Sequence, residues 1–146
     1  MAQSKGTMII AALVLAVAVG SLGFWFYQKQ KAETARTAAI TDGLSLANDA
    51  QSKILKYYFD HNEFPSTNAE AGIPRPESFQ IKALKSITVK KGGQLWLHFN
   101  DKSGVDNGTV VLIPVMDINS GKLWDCKTNS FPEIKKCCDC EFTDKF

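Results

Sequence analysis

Histidine is scarce in this 146-residue chain. His61 and His98 are the only two, and neither lies near the four cysteines, Cys126, Cys137, Cys138 and Cys140, which all fall within the last 21 residues. The usual zinc patterns need two well-spaced ligand pairs, so no metal is expected. No nucleophile–base pairing is visible either, which argues against an enzyme, a small-molecule substrate or a cofactor. Charge of one sign is equally lacking: 17 Lys and Arg against 15 Asp and Glu leave +2, too little for bulk attraction to nucleic acid. No proline interrupts the stretch from Met8 to Phe59, so nothing there forces a helix to break. The length leaves room for one modest domain and none for a barrel of roughly 250 residues.

What the chain does have is an apolar block. Seventeen of the twenty residues from Met8 to Tyr27 are apolar, the exceptions being Gly20, Ser21 and Gly23. As a helix this block would be about 30 Å long, the thickness of a bilayer core. Trp25 and Tyr27 close its far end, where amphipathic rings favour the headgroup layer. Lys5 and the A-x-A run Ala16-Val17-Ala18 also fit a secretory signal cut before Val19, but the apolar run continues well past that point. Lys5 on one side and Lys29, Lys31 and Arg36 on the other leave the orientation open.

Beyond Tyr27, Ile40, Leu44, Ala47, Gln51, Ile54 and Tyr58 recur at helical spacing, with Gln51 the one polar break. One long helix is therefore expected, half transmembrane and half amphipathic, ending near Asp60-His61-Asn62. Pro65, Gly72, Pro74 and Pro76 mark an irregular loop. Four strands follow: Ile87–Val89; Leu95, Leu97 and Phe99 alternating with Trp96 and His98; Val110–Met116, with Pro114 at a bulge or edge; and Leu123-Trp124 after the turn Asn119-Ser120-Gly121. Turns this short imply antiparallel pairing. The fold class is α+β, a long amino-terminal helix packed on a four-stranded antiparallel sheet, closed by a Cys-bounded tail.

The cysteines read as disulfides of an exported domain. Adjacent residues rarely pair, so Cys126 is expected to reach Cys137 or Cys138, with Cys140 taking whichever remains or staying free. Other polar clusters have plain readings. His98 sits on a strand face, and His61 suits the helix end. Asp101, Ser103, Asp106 and Asn107 form a polar turn rather than a full calcium loop. Asn107-Gly108-Thr109 matches a glycosylation sequon. Lys82, Lys85, Lys90 and Lys91 fit a solvated strand edge better than a contact to DNA phosphates.

In order along the chain, Lys5-Gly6 before the apolar run, Ala35-Arg36 with Leu44–Ala47, the segment Lys56–Pro65, Ala71-Gly72-Ile73, Leu112-Ile113-Pro114, Gly121–Cys126 and Phe131-Pro132 before Cys137 resemble the type IV pilins of Gram-negative bacteria. The resemblance covers essentially the whole chain. It implies a leader over 1–6 cut after Gly6 by prepilin peptidase, with Thr7 as the first mature residue, and methylation of the mature chain. It further implies a transmembrane and filament-core helix over 7–27 and a globular domain over 28–146, divided into helix 28–60, loop 61–80, sheet 81–126 and tail 126–146. Partners would be other pilin subunits, the inner membrane before assembly, prepilin peptidase, and DNA or a surface ligand. The carboxy-terminal domain would be periplasmic first and on the pilus surface afterwards.

Three positions depart from the family. An aromatic is usual where Thr7 stands, a glutamate where Ala11 stands, and a helix-bending proline where Gln28 stands. In the family that buried glutamate is thought to pair with a neighbouring subunit's amino terminus, and an unpaired buried charge costs several kcal/mol. A chain with Ala11 suits a minor or initiating subunit, supporting adhesion, twitching motility or DNA uptake. The alternative is a membrane-anchored or secreted periplasmic binding domain that never polymerises.

Overall fold

Helix α1 spans Lys5–His61, 57 residues rich in alanine and leucine and free of proline. The computed structural model describes residues 5–117, 119–134 and 138–146, with side chains from residue 20 onward except that of Glu133. The chain forms two units, one up to Thr34 and one from Ala35 onward. Among the described residues no helix is long and apolar enough to cross a membrane. Most of the apolar block expected to do so lies outside the described side chains.

In the second unit, α1 buries Ile40, Gly43, Ala47, Ala50 and Ile54. This line is turned about one residue from the expected stripe. Leu44, Gln51 and Tyr58 flank it half-buried, which removes the apparent polar break at Gln51. The reason is close approach. A Cβ on Gly43 would come within 2.8 Å of the Phe99 ring, so the smallest side chains face the sheet and the larger ones straddle it. The helix ends where Asn62 turns left-handed at φ 56° and its N–H donates to the Tyr58 carbonyl at 2.7 Å. His61 stacks on Tyr57 with ring centroids 4.1 Å apart, and its Nδ1 donates to the Tyr57 carbonyl at 3.0 Å, the capping role expected of it.

The sheet has five strands in the order β1-β2-β3-β4-β5: β1 (Leu84–Lys90), β2 (Gln94–Phe99), β3 (Thr109–Asp117), β4 (Lys122–Thr128) and β5 (Glu141–Phe142). The first four are antiparallel, as expected. The fifth corrects the expected count. It is two residues long and pairs parallel to β4, Lys127 with Glu141 and Thr128 with Phe142. A pair of residues carries no alternation for a sequence pattern to reveal.

Leu95, Leu97 and Phe99 are fully buried beneath α1 while Trp96 and His98 occupy the other face. Gly93 closes the β1–β2 turn at φ 71°, donates its N–H to the Pro65 carbonyl, and leaves no space for a Cβ beside Phe64. Pro114 lies where β3 has outrun β2, whose pairing stops at Leu95–Leu112, and the β3–β4 register shifts between Pro114 and Asp117. A ladder tolerates proline at such a place. Phe99 and Phe131 meet edge to face at 5.4 Å within the core.

Candidate assembly surface

The helix of the first unit carries Leu22, Phe24, Trp25, Phe26 and Tyr27 in close succession. At 100° per residue these five side chains point to every side of the helix, and each is between 57 and 64% exposed. Trp25 and Phe26 contact edge to face at 5.2 Å, and the Lys29 ammonium lies 5.5 Å from the Trp25 ring. A helix that is apolar all round is normally a buried one. Covering the exposed area of these five would contribute on the order of 15 kcal/mol per subunit. Hydrocarbon or the helices of neighbouring chains could supply that cover.

The second unit is tied at its tail. Cys126 on β4 is bonded to Cys140, 14 residues on, with Cα atoms 4.5 Å apart. This corrects the expected bridge from Cys126 to Cys137 or Cys138. Cys140 directly precedes β5, and the parallel β4–β5 register places it opposite Cys126. Cys138 is a half-buried free thiol, 3.9 Å from the Thr41 hydroxyl. Cys137 lies outside the described residues.

A family profile described as "Pilin (bacterial filament)" matches residues 35–143, nearly the whole second unit. The chain belongs to the pilin family. A fimbrial protein of Neisseria meningitidis serogroup B is 31% identical over 88 residues, 60% of this chain and 51% of that protein. The serogroup A fimbrial protein is likewise 31% identical over 88 residues, again covering 60% and 51%. A type IV major pilin protein, PilE1, of Neisseria gonorrhoeae is 30% identical over 89 residues, 60% of this chain and 53% of that protein. This pilin thus spans about half the length of the curated relatives it matches.

The backbones of Gly6, Thr7 and Ala11 lie within α1, while their side chains are outside the described residues. Three of the four lysines singled out in the sequence have separate partners. Lys82 pairs with Asp42 at 2.6 Å, Lys85 donates to Asn107 Oδ1 at 2.9 Å, and Lys90 sits 3.4 Å over the Trp96 ring. Asp101 and Ser103 form a 3-10 turn, and Ser103 is buried with its hydroxyl donating to the Asn100 and Val105 carbonyls. Asp106 accepts from the Asn107 backbone and side chain. Among the described residues no cluster of three or more His, Cys, Asp or Glu is placed to hold a metal ion. His98 shares a hydrogen bond with the Thr109 hydroxyl at 3.2 Å, and burial first, then Lys90 and Lys85, holds its pKa below 6.5.

Asn62 ends α1, within the stretch Asp60-His61-Asn62 where the helix was expected to stop. Asn68, buried in the loop, gave no signal in the sequence, because its bonds to β1 reach residues 19 and 21 positions away.

Proposed function

We propose that this pilin is a structural subunit of a type IV pilus or related filament, of the minor or initiating kind. The reading rests on a pilin domain over 35–143 preceded by a helix whose apolar side chains are exposed on every side. In this reading residues 1–6 are a leader, prepilin peptidase cuts after Gly6 to leave Thr7 first, and the mature chain is methylated. Residues 7–27 sit in the inner membrane until they enter the filament core. Residues 28–146 pass from the periplasm to the filament surface. Adhesion, twitching motility or DNA uptake is the outcome.

Ala11 carries the minor or initiating assignment. A subunit without a carboxylate there cannot neutralise the buried amine of a neighbour, so its place is where no such neighbour needs it. Amino-terminal sequencing of the natural product tests the processing step. A start at Thr7, abolished by Gly6→Val, is expected, whereas a start at Val19 means ordinary secretion of a domain that does not polymerise. Quantifying the chain in purified filaments tests the rest: a few copies per filament is expected, and bulk abundance overturns the minor assignment.

A further inference from the structure

Strand β1 is an outer strand of the sheet, and such strands present unpaired N–H and C=O groups that invite another strand. In this domain two of them at the middle of the strand do not stand open. The side chain of Asn68 donates through Nδ2 to the Ile87 carbonyl at 2.9 Å and accepts at Oδ1 from the Val89 N–H at 2.6 Å. Those are two of the groups that the next strand of a sheet would engage. Asn68 is itself fixed: its Nδ2 also donates to the Pro74 carbonyl at 2.8 Å, and its own carbonyl accepts from Ile73 N–H at 2.8 Å. The same loop covers the ends of the hairpin, through Leu84 N–H to the Ile81 carbonyl and Gly93 N–H to the Pro65 carbonyl. Exposed Lys85 and Lys90 stand on β1 to either side of the Asn68 contacts.

We infer that Asn68 is an edge guard: one amide side chain occupies the place of a sixth strand and keeps β1 of one copy from pairing with β1 of a second copy. The excluded partner is another copy of this chain because a strand edge with free Ile87 and Val89 groups is complementary to itself in antiparallel register. Without the amide these groups are unsatisfied, and the apolar strand beneath them, with Ile87 and Val89 in the core, becomes a template. The inference is independent of the filament reading, which concerns α1.

The test uses the full chain in detergent micelles, comparing Asn68→Ala, Asn68→Asp and a core variant, Ile54→Val, by sedimentation velocity and by infrared spectroscopy of intermolecular strand pairing. Asn68→Ala is expected to self-associate at concentrations about tenfold lower than Ile54→Val, with a new intermolecular strand band. Asn68→Asp loses the donor to Ile87 yet places a charge at the edge, so it is expected to lose thermal stability and stay unassociated. Association of Asn68→Ala no stronger than that of Ile54→Val overturns the inference, and so does equal association of Asn68→Asp and Asn68→Ala. Should Asn68→Ala fail to fold, Asn68→Asp against Ile54→Val still decides: strand-paired association of the folded Asp variant beyond that of Ile54→Val overturns it.

Discussion

The helix segment before Thr34 and the domain from Ala35 onward handle apolar surface in opposite ways. In the first, five large side chains in six residues are more than half exposed. In the second, Phe99, Phe131, Leu95 and Leu97 are sealed, and among the described residues every buried side-chain nitrogen and oxygen has a hydrogen-bond partner. One region is finished by its own sequence; the other is left for something else to finish. Exposure in a single chain is therefore a design feature where it is collected on one element and ordinary where it is scattered.

The largest way to break that contrast is to empty the finished core. Phe99→Ala removes the ring that fills the space between Gly43 and Phe131 and is expected to cost about 3–5 kcal/mol, read as a lower denaturant midpoint. Phe24→Ala, although also a loss of a phenyl ring, is expected to move that midpoint by less than about 0.5 kcal/mol because Phe24 is already exposed. Equal effects would erase the distinction.

Next in size is the staple. Cys126→Ser opens a loop of 14 residues and is expected to cost on the order of 3 kcal/mol, while Cys138→Ser leaves the midpoint almost where it was. Reductant should reproduce the first change and not add to it. The smallest effect is electrostatic. With its pKa held below 6.5 in the fold, His98 binds a proton more readily in the unfolded chain. Its contribution is complete above that value and declines as pH falls through it. Thermal midpoints should drop between about pH 7 and pH 5, and His98→Gln should flatten part of that slope.

Periodicity made α1, the faces of β2, the bulge at Pro114 and the helix end at His61 legible, because each follows from the identities of residues near in sequence. What stayed hidden depends on partners far along the chain. The buried line of α1 is centred on Gly43 and Ala50 rather than Leu44 and Gln51 because Phe99, more than fifty positions away, claims the space. The Cys126–Cys140 bridge follows from a parallel pairing that only the folded tail creates. Asn68 looks like any loop asparagine until β1 is beside it. Of the assembly surface, the apolar composition was plain from the sequence, whereas the exposure of Leu22 to Tyr27 on all sides needed the structure.

The fit of Phe99 against Gly43 has a mechanical consequence. A ring set where a side chain is missing acts like a key in a slot: for α1 to slide along the sheet or roll on its axis, Ala47 or Leu44 would have to pass the same ring. A tensile load applied along α1 within residues 35–61 therefore bears on the hairpin of β1 and β2 as a unit.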